Sequence, residues 1–214
     1  ILNMKLTHGQ CRRNTEVARC LIFNMTDREK LKLRLEEFTP FNRQEEKDRW
    51  TMLNLLGQED IFRRSNLTGH FTASAWVVNG NGTKVLMAYH NLYNSWSWLG
   101  GHADGEEDLS KVALREVKEE SGVKSVKLLS PKIYSVEILP VEGHEKHGEY
   151  VPCHLHYNVT YLMQADENRH LTAKPDENSG VAWFGLEEVY EKSTEKWFVE
   201  RIYKKLNEKL KDWL

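Results

Sequence analysis

The sequence predicts an α/β fold, an α/β/α sandwich around a mixed sheet, on three observations. β-rich runs alternate with helical patterns along the chain. One helix, opening after Gly100-Gly101 and closing at Gly122, lies between strand runs on both sides and is crowded with carboxylates. The chain then finishes on Phe198, Ile202, Leu206 and Leu210, a four-residue apolar recurrence that marks a long amphipathic helix packed on the body or on a second copy, so a homodimer is one expected assembly. A length of 214 residues suits one core with additions, read as an N-terminal helical extension over 1–65 and a main domain over 66–214.

The first 24 residues show no periodicity, and Lys5, Arg12, Arg13 and Arg19 precede an apolar run too short for a signal-peptide core. The natural start is expected at Met4 or Met25. Thr26 and Glu29 form a capping box for a helix to about Phe38. Pro40 ends it, and Asn42 with Glu45 repeats the signature ahead of a second helix running to Leu56 and closed by Gly57. Trp50, Leu53 and Leu56 read as its buried stripe. The helical pair is expected to pack on the main domain or a partner subunit, with a substrate-selecting cap as the alternative.

Residues 71–78 and 84–90 are strand-like, and Asn79-Gly80-Asn81-Gly82 between them is a hairpin signal. His90, Tyr93, Trp96 and Trp98 follow in a predicted loop, where aromatics either stack on a base or sugar or seal the sheet. Beyond the carboxylate helix, 126–129 and 132–139 read as strands, and 140–151 as a polar loop holding Glu142, His144, Glu145, His147 and Glu149. The next strand alternates. Cys153, Leu155, Tyr157, Val159 and Tyr161 are assigned to the core, and His154, His156, Asn158, Thr160 and Leu162 to the opposite face, which is either a cleft wall or a solvated surface. Two histidines alone are too few for a structural zinc site without a third partner. Residues 165–180 read as a loop.

Composition excludes several classes. A net charge of −2 with 29% charged residues gives no basic field to recruit nucleic acid or an anionic membrane. No apolar run approaches the roughly 18 residues of a membrane span. Cys11, Cys20 and Cys153 lack metal-type spacing and make no disulfide framework, so a reducing, cytoplasmic location is expected.

The carboxylate helix carries the chemistry. At about 100° per residue, Glu119 lies roughly 60° to one side of Glu116 and Glu120 about 40° to the other, so all three share a face. Like charges at that spacing repel, and a hard divalent cation with oxygen ligands reverses the sign. Ala113, Leu114 and Val117 are placed on a different arc, which would pack on the sheet.

The same residues carry a resemblance. From Gly101 the chain reads Gly, five residues, Glu107, seven residues, Arg115-Glu116-Val117, one residue, Glu119-Glu120, one residue, Gly122-Val123. This resembles the Nudix box at every specified position, and a Val-Ala-Trp-Phe-Gly-Leu-Glu-Glu-Val stretch at 181–189 is similar to that family's late strand and helix. The resemblance implies that Glu116, Glu119 and Glu120 with the Gly101 carbonyl hold Mg²⁺ or Mn²⁺, and that Glu116 or a partner carboxylate is the base. It also implies a Glu107–Arg115 ion pair that orients the site, and a left-handed helix end at Gly122. The His-x-His-x-Asn strand is similar to that of a subset of bacterial relatives, which makes His154, His156 and Asn158, with Trp96, the expected contacts for a small nucleotide-type substrate. His144 or Glu145 would join from the polar loop. The implied reaction is hydrolysis of a pyrophosphate bond in a nucleoside diphosphate linked to another moiety. The rivals are a regulator that binds a nucleotide-sugar without cutting it, and an isopentenyl diphosphate isomerase-like enzyme, which needs a placed cysteine where Cys153 is expected in the core.

Overall fold

The computed structural model describes residues 25–146 and 148–213; expectations about residues 1–24, with Cys11, Cys20 and a start at Met4, and about His147 lie outside them. The chain opens on α1 (Asp27–Glu37) and α2 (Arg43–Leu55). The Thr26 side chain accepts from the Glu29 N–H and Glu29 reaches back to the Thr26 N–H, which satisfies two donors that the first turn leaves open. Asn42 caps α2 in the same way, accepting from the Glu45 N–H.

The buried stripe of α2 differs from expectation. Trp50 is 65% exposed, and the inward positions are Glu45, Met52 and Leu56. The helix is turned so that a glutamate enters the interior, which an apolar count does not reveal. There Glu45 receives Lys209 Nζ at 2.7 Å and the Ser135 hydroxyl at 2.6 Å.

The sheet contains β1 (Gly69–Val78), β2 (Lys84–His90), β3 (Ser95–Ser97), β4 (Leu99–His102), β5 (Val126–Leu128), β6 (Ser135–Val141), β9 (His154–Ala165) and β10 (Asn178–Gly185). β1 and β9 run parallel over ten register pairs at its centre, and the other ladders are antiparallel, so the sheet is mixed. β1 meets β2 only at Val78↔Val85 and then diverges. The chain from Ser95 to His102 fills the gap, with β3 on β2 and β4 on β1. That wedge lays Gly100, Gly101 and His102 beside Ser74, Ala73 and Thr72.

Both faces of the sheet are covered. Phe71, Ala73, Ala75 and Val77 of β1, with Tyr157, Val159 and Tyr161 of β9, pack under α3 (Leu109–Ser121) and share a core with Leu31, Leu35, Phe38, Met52 and Leu56 of the N-terminal helices. Trp76, Val78 and Leu162, of opposite parity, pack with Ile202, Tyr203, Leu206 and Leu210. The layers make an α/β/α sandwich. The C-terminal helix, residues 196–210, contains a π-type turn at Val199–Tyr203. A strict four-residue repeat drifts about 40° per step on an α-helix, and the wider turn takes up part of that drift.

Four strand-level expectations are corrected. β6 continues through Pro140 to Val141, because it is an edge strand where a missing N–H breaks no ladder. The 140–151 segment carries a two-stranded ribbon, β7 (His144–Lys146) and β8 (Glu149–Val151), and the aromatic loop contains β3. β9 starts at His154, which leaves Cys153 outside it, and Leu155 at the start of its alternation is exposed, so neither is core. Among the described residues no helix is long and apolar enough to cross a membrane.

Candidate active site

The site is built where α3 crosses β4. Asp108 caps the helix by accepting from the Ser110 N–H, and Gly122 closes it at φ +70°, where a side chain would be strained. The buried stripe reads Leu109, Val112, Ala113, Glu116, Val117, Glu120, so packing and metal-type residues occupy one arc rather than two. The arc runs from an apolar anchor into two buried carboxylates facing the Gly100-Gly101 backbone.

Glu120 Oε2 accepts from the Gly100 N–H at 2.9 Å. Glu116 lies so close to Gly101 that a Cβ there would come within 2.6 Å of its carboxyl carbon, which explains the glycine. Burial raises the proton affinity of both acids, for Glu120 to a pKa of about 8; repulsion from Glu119 and Glu177 adds to the effect at Glu116, and repulsion from Glu116 and Glu177 adds to it at Glu120. Arg115 Nη2 bridges Glu116 Oε1 at 2.7 Å and the His102 carbonyl at 2.9 Å. Glu119 is half exposed between Arg115 and Lys174, at 3.9 and 3.4 Å. Three carboxylates and a backbone turn are hard oxygen donors and fit Mg²⁺ or Mn²⁺ better than a softer ion. Two of them are buried without a full complement of cations, which supplies the electrostatic reason to take one up.

The Glu107–Arg115 pair does not form. Glu107 receives Arg28 Nη2 of α1 at 2.6 Å, while Arg115 turns to Glu116, its neighbour on the helix. Glu107 thus ties the N-terminal helices to the loop before α3. Glu177, whose charge acts on both buried acids, and the Arg64–Asp104 pair at 2.6 Å also border this region. Neither was legible in the sequence, because both come from irregular segments without periodicity.

The second group of expected residues lies on the other face. Paired residues in a ladder point the same way. Gly101 with Ala73 faces α3, whereas His102 with Thr72 faces the side that carries His70, His154 and His156. Asn158 is 1% exposed. Its carbonyl accepts from Thr72 and Ser74, and its amide donates to Glu137 and Thr160. His154 is buried, its Nε2 3.1 Å from Nε2 of His156. Trp96 is part-exposed, edge-on to Tyr89 and Phe184. His144 sits on the β7–β8 ribbon with its Nδ1 2.9 Å from the Glu142 carbonyl.

A family model described as NUDIX domain matches residues 69–206, more than half of the chain. The chain belongs to the Nudix family. Comparison with curated proteins gives no match. Among solved structures, a Caenorhabditis elegans Ap4A hydrolase in a binary complex is 16% identical, with TM-score 0.45, over 66% of this chain and 95% of that one. A Clostridium perfringens hydrolase of the NUDIX family is 20% identical, with TM-score 0.43, over 64% and 96%. The NUDIX domain of Shewanella oneidensis NrtR, complexed with ADP ribose, is 17% identical, with TM-score 0.44, over 65% and 87%. The carboxylate helix described above lies within the matched residues, and the chain is a Nudix hydrolase, of a family that acts generally on nucleoside diphosphate derivatives.

Proposed function

We propose that this Nudix hydrolase cleaves a pyrophosphate bond in a nucleoside diphosphate linked to another moiety, and that it uses Mg²⁺ or Mn²⁺. The observation that carries the reading is the burial of Glu116 and Glu120 against the Gly100-Gly101 turn, with half-exposed Glu119 beside them. These carboxylates and the Gly101 carbonyl would hold the metal, which supplies charge neutralisation of the diphosphate and a more acidic water. Arg115 fixes the orientation of Glu116 through a 2.7 Å contact. Glu116 or Glu119 would take the proton of the attacking water. Trp96 stays part-exposed over Gly180, but it pairs with Tyr89 and packs with the C-terminal-helix face, so it is given no contact with a substrate at the carboxylate site. Glu107 acts through Arg28 as a positioning residue. Asn158 is consumed inside the sheet and is given no substrate contact.

The test is product analysis after incubation with dinucleoside polyphosphates, nucleotide-sugars and related diphosphates, with Mg²⁺ or Mn²⁺ present. Cleavage of at least one panel member into two phosphate-bearing products is expected, with Glu116→Gln, Glu119→Gln and Glu120→Gln each slower by about 10²–10⁴-fold and still folded. Three variants at wild-type rates would remove the site assignment. Tight binding of a nucleotide-sugar without cleavage would turn the reading toward a regulator.

A further inference from the structure

The face of β1 opposite the Nudix helix holds a feature that the hydrolase chemistry leaves unused. His70 of β1, His102 of β4, and His154 and His156 of β9 each direct a ring nitrogen into one space, and the four nitrogens all lie within 4.8 Å of one another. The register brings them together: His70 is paired with His156, and His102 with Thr72, two residues along from His70 on the same face. Ring centroids of His70 to the other three are 5.0–5.2 Å apart. We infer that these four imidazoles form a binding site for a zinc-class divalent transition metal, separate in ligand chemistry and in sheet face from the carboxylate site.

Three observations support this assignment. First, two of the rings are oriented as metal ligands are. His154 Nδ1 is 2.8 Å from the Pro152 carbonyl and His70 Nδ1 is 3.1 Å from the Asn66 carbonyl, so each Nδ1 carries the proton and donates it, and each Nε2 presents a lone pair. Second, His70 Nε2 is buried without a hydrogen-bond partner, and an unsatisfied buried polar atom costs about 1–3 kcal/mol unless something fills the role. Third, the spacing is right in scale. A tetrahedral ion with bonds of about 2.1 Å sets its ligand nitrogens about 3.4 Å apart. The His154–His156 nitrogen pair stands at 3.1 Å, and all four nitrogens lie within 4.8 Å, so the wider pairs would draw together on an ion. Four neutral nitrogen donors with no carboxylate among them select a borderline ion such as Zn²⁺ over Mg²⁺, which prefers oxygen. Filled, the site would clamp β1, β4 and β9 together directly behind Gly101.

The inference stands independently of the hydrolysis reading and is tested by metal binding. Protein prepared without a polyhistidine tag and stripped with a chelator is titrated with Zn²⁺ and with Co²⁺, in excess Mg²⁺. Wild type should bind one equivalent that Mg²⁺ does not displace, give the visible absorption of four-coordinate cobalt, and melt at a higher temperature when loaded. His70→Ala and the more accessible His102→Ala should each weaken binding about 100-fold or more, since even outer-shell changes cost 10–100-fold. The Glu119→Gln variant should bind as wild type does. His156→Ala serves in place of His70→Ala if melts show that variant unfolded. Folded wild type that binds neither ion would overturn the inference and leave a hydrogen-bonded histidine cluster. So would binding that survives the histidine changes and disappears in Glu119→Gln.

Discussion

Gly101 and Glu116 show how little room the carboxylate site leaves. An alanine at 101 would put its Cβ within 2.6 Å of the Glu116 carboxyl carbon, so either that carboxylate or the β4 backbone moves. Misplacing a catalytic group by about 1 Å costs on the order of 100-fold. Gly101→Ala should therefore lower kcat by 10-fold or more with a small change in melting temperature, as steady-state kinetics paired with thermal melts would register. Glu120 gives a pH signature. Burial raises its folded pKa from 4.5 to about 8, so the folded state holds a proton that the unfolded state has released, and stability falls as pH rises through that window. The histidine cluster acts in the opposite sense. Burial, reinforced by the neighbouring rings, depresses His156 from 6.5 to about 2, and that contribution is lost as pH falls below 6.5. The His156 contribution is complete above pH 6.5, so the fall in stability from there to pH 8 belongs to groups other than His156, the buried acids Glu120 and Glu116 first among them. Metal-free wild type should lose melting temperature across that interval, Glu120→Gln should be flatter, and saturating Mg²⁺ should remove the slope by taking the proton's place. Parallel slopes in wild type and Glu120→Gln would assign the effect elsewhere.

Elements are joined by ion pairs of very different worth. Lys205 and Lys209 of the C-terminal helix enter the interior, where Lys205 Nζ is 2.8 Å from Glu137 of β6 and 3.2 Å from Glu45 of α2. All three side chains of that contact are at most 4% exposed. Asn158 and Thr160 extend the network across β9 by donating to Glu137. Removing one partner strands a buried charge, and such losses run to about 3–5 kcal/mol. Lys205→Met should shift the urea midpoint accordingly. Lys204→Met, which breaks an exposed pair with Glu200, should cost under about 1 kcal/mol. Similar midpoints for the two would contradict the burial argument. Glu45 and Glu137 also show the limit of reading elements from pattern alone: caps at Thr26, Asn42 and Gly122 were legible because capping is local, whereas a buried glutamate is recognised only once its lysine, more than 60 residues away in sequence, is beside it.

At the scale of the molecule, the N-terminal helices belong to the core of the catalytic body. Leu31, Leu35, Phe38, Met52, Leu56, Ile61 and Phe62 are buried in one cluster with Phe71, Val112 and Val117. Full burial of such side chains contributes about 1.5–3 kcal/mol each, and together they match the whole stability of an ordinary domain, about 5–15 kcal/mol. A chain beginning at residue 66 should therefore fail to give a cooperative melt, as thermal denaturation followed by circular dichroism would register. A well-folded, active fragment from residue 66 would make the extension an appendage. Edge protection points the same way, since Asp48 of α2 accepts from the Ile138 N–H on the open side of β6.

The sequence by itself determined the Nudix helix, its close at Gly122, the Asn-Gly hairpin, the parity of β9 from Tyr157 onward and the C-terminal apolar stripe. Each is a short-range pattern set by helix or strand periodicity and turn chemistry. Tertiary structure alone decided that Glu116 and Glu120 share the packing arc, that Glu107 meets Arg28 rather than Arg115, and that Trp50 faces solvent. It also supplied the partners that two histidines of β9 lacked. His70 and His102 are 84 and 54 residues from His154 and His156, respectively, and only the parallel β1–β9 register, with β4 wedged beside β1, sets all four on one face. Strand order and register depend on which surfaces the whole chain can bury together, and no local window of sequence contains that information.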